Sequence, residues 1–255
     1  TLADTFTVTA ADGTQQVVSV TITGSNDTPT LTAAPQSVQL VEAGGVDNAV
    51  AGDSTATIAF TNVDVDGSTP SYVTTGWTAQ GSGVFTKVGT YGTASLNTAT
   101  GVVTYTLDNT LVSTQGLVAD ESANDTFAIV VSDGAAQTTT NAVFSITGSN
   151  DAAVISGTST GAVTEAGGVA NATAGTPTAT GTLTSSDVDG TTNAFTPVST
   201  STTSAGGYGS YTMTAGGVWT YTLNNDNTTV QALAANATLA DTFTVTAADG
   251  TQQVV

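Results

Sequence analysis

The sequence predicts an all-β protein built from tandem antiparallel Greek-key β-sandwiches in a linear rod, and three observations carry this prediction. Apolar and polar residues alternate with a period of two along most of the chain, as in half-buried strands. Turn-forming residues separate these alternating runs at intervals of roughly 8–12 residues, which is typical of sandwiches. Long stretches of sequence also recur at a domain-sized spacing, which indicates tandem units.

The recurrence is most direct at the two ends of the chain. Residues 1–18 reappear letter for letter as residues 238–255, which is a displacement of 238 − 1 = 237 positions. A looser copy lies between them, because an Asp-Thr-Phe element begins at Asp4, at Asp125 and at Asp241. The repeat unit is therefore a domain of about 115–125 residues, which lies within the usual size range of a single domain.

Individual strands follow from the alternating runs, in which Val, Ile, Phe or Tyr faces one side and Thr or Ser faces the other. Such runs lie at 5–10, 18–23, 103–107, 144–146 and 219–223. β-branched Thr suits the solvent-facing side of a strand, and Asp-Gly and Gly-Gly pairs between the runs supply turns. The sequence holds no helical stripe longer than a turn or two.

Aligned copies place each domain boundary just after a Gly-Ser-Asn-Asp tetrapeptide, which ends at Asp27 and again at Asp151. Residues 1–27 are expected to form the last two strands of a preceding repeat. Residues 28–151 form one complete sandwich repeat. Residues 152–255 form a second repeat that lacks its final strand, unless a neighbouring copy supplies it.

Composition excludes several classes of function. The chain has 20 acidic and 1 basic residue, a formal net charge of −19, and neither His nor Cys. Nucleic acids and anionic membranes require Lys or Arg, so neither is an expected partner, and no run is long enough for a membrane-spanning helix. Disulfides and thiolate metal sites are excluded by the absence of Cys. Without His, Cys or Arg for catalysis, we expect no enzyme.

The acidic residues recur at fixed loop positions beside glycine, and this pattern predicts Ca²⁺ sites between domains. Clustered carboxylates repel one another unless a cation joins them, and Ca²⁺ takes 6–8 oxygen ligands from carboxylates, Asn side chains and carbonyls. The predicted ligands at the first junction are Asn26, Asp27, Glu42, Asp64, Asp66 and Asp133. Those at the second junction are Asp120, Glu121, Asn150, Asp151, Glu165, Asp187, Asp189 and Asp249, and the recurring turn residue Asp12 is a further candidate.

The alternative is that these acids are ordinary turn residues, because Asp-Gly and Asn-Asp are common in turns. Glu42 and Glu165, each followed by Ala-Gly-Gly, weigh against that alternative, since glutamate has no turn-forming role there.

The run D-T-F-T-V-T-A-A-D-G followed by V-T-I-T-G-S-N-D resembles the VCBS and cadherin-like repeats of giant RTX-type bacterial surface adhesins. Residues 217–225, G-V-W-T-Y-T-L-N-N, are similar to the G-x-W-x-Y-x-L-x-N segment of VCBS repeats. The resemblance implies an Ig/cadherin-like sandwich, an extracellular location on the bacterial surface, and Ca²⁺ that stiffens junctions with neighbouring repeats. The first repeat departs from the pattern, since Val103 stands where the second has Trp219.

Three functions are compatible with the sequence. The first is an extender region of an adhesin, stiffened by several Ca²⁺ ions and serving adhesion or biofilm reach. The second is a self-assembling extracellular filament or matrix fibre, in which like chains exchange strands between repeats. The third is a carbohydrate-binding domain, in which Trp77 and the Thr-rich residues 191–204 would form the surface.

Overall fold

The computed structural model describes residues 1–67 and 69–255, and it confirms the all-β prediction, with 49% of residues in strands and 6% in helices. The strands divide into an N-terminal hairpin and two sandwich units that follow it along the chain.

The N-terminal hairpin consists of β1 (Leu2–Thr9) and β2 (Gln15–Ile22), which pair in unbroken antiparallel register from Leu2↔Ile22 to Thr9↔Gln15. It forms a separate two-stranded sheet. Its side chains are exposed on both faces, apart from a half-buried Val18.

The first sandwich packs a six-stranded sheet of order β3-β5-β10-β9-β8-β7 against a four-stranded sheet of order β4-β12-β11-β6. Its strands are β3 (Thr30–Ala33), β4 (Leu40–Val41), β5 (Thr55–Val63), β6 (Ser71–Val73), β7 (Thr78–Gly81), β8 (Val84–Val88), β9 (Gly92–Asn97), β10 (Val102–Leu107), β11 (Ser122–Ser132) and β12 (Gln137–Thr147). A 3-10 turn at Val46–Asn48 and a one-turn helix α1 (Val112–Gln115) complete the unit.

The core of this sandwich follows from the period-two alternation. β11 and β12 pair over eleven residues each, and every second side chain points inward, among them Phe127, Ile129 and Phe144. The ring of Tyr105 stacks on Phe144 with 4.9 Å between ring centroids. Trp77 is half-buried and packs against the same core, 6.2 Å from the Phe127 ring, and carbohydrate binding by this residue stays a prediction.

The second sandwich has a five-stranded sheet of order β13-β14-β17-β16-β15 and a short pair, β18-β19. Its strands are β13 (Val154–Gly157), β14 (Thr178–Ser186), β15 (Val198–Thr203), β16 (Gly209–Met213), β17 (Val218–Leu223), β18 (Thr244–Thr246) and β19 (Gln252–Val254). A 3-10 turn at Val169–Asn171 and a one-turn helix α2 (Thr228–Gln231) match those of the first unit.

Trp219 is the centre of the second core. It is 1% exposed, and its indole N–H donates to the carbonyl of Thr158 at 2.7 Å. The ring fits because Gly181 and Gly161 face it, and a Cβ on either glycine would come within 3 Å of ring atoms. Phe243 packs edge-on against the same ring at 5.7 Å.

Candidate metal site at the sandwich junction

Glu42 is the most buried carboxylate of the chain, at 1% exposure. It follows β4, which pairs in parallel with the end of β12 and therefore runs toward the second sandwich. Its Oε2 accepts from the N–H of Ser149 at 3.2 Å, and its Oε1 accepts from the side-chain amide of Gln115 at 3.2 Å. Burial, together with the charges of Asp151 and Asp189, raises the pKa of Glu42 to about 7.

The linker between the two sandwiches packs against Gly44 and Gly45, the glycine pair that follows Glu42 and Ala43. The N–H of Gly45 donates to the carbonyl of Asn150 at 2.8 Å, and the N–H of Ala152 donates back to Gly45 at 3.1 Å. A Cβ at Gly44 would lie 2.5 Å from the hydroxyl oxygen of Ser149, a distance that Cβ atoms in real structures essentially never show. The linker can approach this closely only because Gly44 has no side chain.

The linker and two loops of the second sandwich contribute further carboxylates to the same junction. Asp151 and Asp189 are 5% and 9% exposed, and the N–H of Asp151 donates to Oδ2 of Asp189 at 3.2 Å. Asp249 accepts from the N–H of Ala153 at 2.9 Å. Burial and the neighbouring Asp189 and Asp249 carboxylates raise the pKa of Asp187 to about 6.

Three buried carboxylate oxygens at this junction have no hydrogen-bond partner among the described residues: Oδ2 of Asp151, Oδ1 of Asp187 and Oδ1 of Asp189. Leaving an anionic oxygen buried without a partner is costly, and a cation would remove that cost. All available donors are hard oxygens, which suits Ca²⁺ rather than zinc or copper. Within residues 1–67 and 69–255, however, no group of three or more acidic side chains lies in a geometry that could hold a metal ion.

The remaining residues expected at the second junction lie around its rim. Asn150 donates its side-chain amide to the carbonyl of Asp151 at 2.6 Å. Asp120 and Glu121 are exposed, and their backbones bond Gly148 at the start of the linker. The carboxylate of Glu121 accepts from the N–H of Val118 at 3.1 Å, so it is occupied at the end of its own sandwich.

The first junction repeats part of this arrangement. The side-chain amide of Asn26 donates to Asp133 at 3.0 Å, and the N–H of Asp27 donates to Asp66 at 2.9 Å. The N–H of Asp66 in turn lies 3.4 Å from Oδ1 of Asp64. These five residues stand where Asn150, Asp151, Asp187, Asp189 and Asp249 stand at the second junction.

The structure corrects the expected grouping of the two glutamates. Glu42 lies with Asp151 and Asp189 at the second junction, not with Asp64 and Asp66. The physical reason is strand direction, since β4 runs parallel to the last strand of its own sandwich and carries the glutamate to that end.

Glu165 likewise lies apart from Asp187, beside the groove lined by Trp219 and Tyr221. Asp12 lies in the turn of the N-terminal hairpin, where it accepts from the N–H of Thr14 at 2.9 Å, and this bond lowers the pKa of Asp12. That geometry is the turn role which the sequence left open as an alternative. Metal binding by any of these residues stays a prediction.

Asp125 is a recurring carboxylate whose role the sequence pattern does not indicate. Asp125 is 4% exposed and accepts from the hydroxyl of Tyr105 at 2.6 Å and from the N–H groups of Thr90 and Tyr91. The second sandwich repeats the bond between Tyr221 and Asp241 at 2.7 Å. Both pairs are separated by 20 positions along the chain, and that constant spacing was the available signal.

Residues 150–255 match the family model described as the bacterial cadherin-like domain. The match supports a relationship to the cadherin-like Ig family, whose fold class is non-catalytic and whose bacterial members are typically modules of extracellular surface proteins. No curated protein matches the chain. Within the part of the chain that the structure describes, no helix has the length and apolar character needed to cross a membrane.

Proposed function

We propose that this chain is a stretch of extender repeats from a large extracellular bacterial adhesin of the VCBS or RTX type. In this proposal Ca²⁺ ions bind at the junctions between sandwiches and hold successive repeats in a fixed relative orientation. The extender places a distal adhesive element away from the cell surface and so serves adhesion and biofilm reach.

The observation that supports this proposal most is the set of orphaned oxygens on Asp151, Asp187 and Asp189 at the boundary of the two sandwiches. Glu42 reaches the same boundary from the first sandwich, so one ion bound there would connect groups from both units. Such an ion would remove both the carboxylate repulsion and the rotational freedom of the linker. A metal site whose ligands come from two domains couples ion binding to their orientation.

The test is small-angle X-ray scattering of residues 1–255 in about 5 mM Ca²⁺, which lies above the Kd range of extracellular calcium modules, and again in excess chelator. Calorimetric titration with Ca²⁺ accompanies it. We expect an extended, stiff particle with Ca²⁺ and a flexible one in chelator. NaCl at the same ionic strength should not restore stiffness, because salt screens exposed charges far better than buried ones.

Asp189→Asn supplies the matched variant, since it removes one charge at the junction and keeps the shape of the side chain. It should weaken Ca²⁺ binding by about tenfold or more, because ligand charge tunes calcium affinity. Asp226→Asn removes the same charge in a turn that supplies none of the predicted ligands, and it should leave binding unchanged. Scattering that is the same with Ca²⁺ and with chelator would show that the acids are turn residues.

A further inference from the structure

The first sandwich has an open cleft between β5, β6 and the turn that joins β9 to β10. Its volume is about 710 Å³, which lies within the usual range of ligand sites. The described residues that line it fall between positions 60 and 101, so neither end of the chain contributes to the cleft. They include Asn62, Tyr72, Thr74, Phe85, Thr98 and Thr100.

The second sandwich is closed at the equivalent position. Tyr72 and Phe195 are equivalent, because each pairs with the residue six positions after the aspartate of an Asp-Thr-Phe element. Phe195 is 3% exposed, and its N–H donates to the carbonyl of Ala215, in the turn before β17, at 3.0 Å. The second sandwich thus joins this segment to the turn, whereas Tyr72 of the first sandwich stays half-buried in the wall of the cleft.

Asn97 stabilises the turn beside the cleft from within. Its side-chain oxygen accepts from the N–H of Ala99 at 3.0 Å and from the N–H of Thr100 at 3.2 Å. Its backbone carbonyl accepts from the N–H of Gly101 at 2.9 Å. Within the described chain no backbone bond joins this turn to β6, so the cleft stays open in the folded protein.

Two aromatic rings, those of Tyr72 and Phe85, lie half-buried in the wall of the cleft. The Tyr72 hydroxyl lies against Gly101, where a Cβ would come too close to it, and its ring position depends on that glycine. A partly exposed ring offers an apolar face, and the tyrosine hydroxyl adds a polar edge. The cleft can therefore contact the apolar C–H face of a sugar ring.

Hydroxyl and amide groups surround the two rings. The side-chain amide of Asn62 lines the cleft and makes no hydrogen bond to any described residue, so its donors and its acceptor are available to a ligand. Thr74 adds a hydroxyl, which both donates and accepts. A ligand rich in hydroxyl groups matches this set of polar partners.

The charge of the cleft narrows the class of ligand further. Among the described residues that line it, none is acidic or basic, although the chain carries 20 acidic residues. An anionic ligand would need Lys or Arg as a partner, and a cationic ligand would bind beside carboxylates. The lining therefore favours a neutral ligand that has both hydroxyl groups and apolar faces.

We propose that this cleft binds a neutral oligosaccharide. A pyranose ring packs against Tyr72 and Phe85, and its hydroxyl groups bond to Asn62 and to the Thr side chains of the wall. This activity goes beyond the extender function, because the repeat itself would then contact glycans. No predicted Ca²⁺ ligand lines the cleft, so glycan binding stands or falls separately from the Ca²⁺ proposal.

The first test is saturation-transfer NMR of residues 1–255 with neutral and charged hexasaccharides. The neutral probes are cellohexaose, mannohexaose and galactohexaose, and the charged probes are hexagalacturonate and hexaglucosamine. We expect at least one neutral probe to bind with a Kd of about 1 mM or tighter, and neither charged probe to bind. Absence of transfer from all three neutral probes, or a preference for a charged one, would overturn the proposal.

The second test locates the binding site with variants of the two equivalent positions. Asn62→Ala should weaken binding about fivefold, which is the usual contribution of one hydrogen bond. Ser185→Ala is its control, because Ser185 stands two residues before Asp187 as Asn62 stands two residues before Asp64. It should bind as the wild type does.

A larger side chain should block the cleft directly. Thr100 is exposed, so Thr100→Trp should abolish binding and leave the circular dichroism spectrum unchanged. Gly216→Trp places the same side chain at the equivalent turn position of the closed sandwich, where a Cβ meets only the Thr214 hydroxyl at 4.0 Å, and binding should persist. A Thr100→Trp variant that binds normally, or equal losses in both variants, would show that the glycan does not occupy this cleft.

Discussion

Buried carboxylates in this chain occur in two contrasting environments, and the difference assigns their roles. Asp125 is buried with its oxygens bonded to Tyr105 and to two backbone N–H groups. Asp151 and Asp189 are buried to a similar degree and each retains an oxygen without a partner. The first environment satisfies a carboxylate within the core, whereas the second leaves carboxylate oxygens that only an added partner could satisfy.

The hydrogen bond between Tyr105 and Asp125 should be a main contributor to the stability of the first sandwich. Tyr105→Phe should lower the free energy of unfolding by about 1–3 kcal/mol, because it removes a partner from a buried anion. Tyr72→Phe is the control, since its hydroxyl makes only a 3.4 Å bond to the carbonyl of Phe60. Urea denaturation measures both variants, and equal losses would contradict a special role for the Tyr–Asp pair.

The junction carboxylates should make stability depend on pH when Ca²⁺ is absent. The pKa of Glu42 is raised from 4.5 to about 7 and that of Asp187 from 3.8 to about 6. Between the ordinary and the raised pKa of each group, the folded state binds more protons than the unfolded state. The free energy of unfolding therefore falls as pH rises from about 4.5 to 7.

Thermal denaturation in chelator at several pH values between 5 and 7.5 measures this dependence. The decline should disappear in Ca²⁺, because the ion binds the deprotonated carboxylates. Glu42→Gln should flatten the profile in chelator, while Asp12→Asn should leave it unchanged. A stability that rises with pH in chelator would show that these groups are not destabilised by their surroundings.

At the scale of the elements, the linker packs directly on the glycine pair after Glu42. A Cβ at Gly44 would meet Ser149 and Asn150, whereas a Cβ at Gly167 would meet no atom within 4 Å. Gly44→Ala should displace the linker and weaken Ca²⁺ binding at the second junction, since its Cβ would lie 2.6 Å from the carbonyl oxygen of Asn150. Gly167→Ala is the matched control and should leave the same binding unchanged. Calorimetric titration measures the Ca²⁺ affinity of both variants. Equal affinities would show that Gly44 does not position the linker for Ca²⁺ binding.

Many of the strands were predictable from the sequence, because period-two alternation follows directly from strand geometry. The runs at 103–107 and 219–223 indicated β10 and β17, and the Thr-rich outer faces agree with the structure. The grouping of Glu42 was not predictable, since aligned repeats show which residues are equivalent but not at which end of a sandwich a loop lies. That depends on the parallel pairing of β4 with β12, a long-range contact with no local signal.

At the scale of the whole molecule, the 237-residue displacement allowed the tandem organisation to be expected before any strand was assigned. Residues 1–27 hold two paired strands, β1 and β2, and the alternation in the sequence indicates both of them.

The single basic side chain also affects the whole molecule. Lys87 lies in β8, which pairs with β7 on one side and β9 on the other, and its ammonium group is 5.9 Å from the centroid of the Trp77 ring. A protease specific for Lys or Arg therefore has one peptide bond to cut in 255 residues, and that bond lies at the end of β8, where Lys87 and Val88 pair with β9. Cleavage requires this end of β8 to separate from β9 first. The composition that makes the chain so acidic thus also makes it resistant to trypsin-like digestion for as long as the first sandwich stays folded.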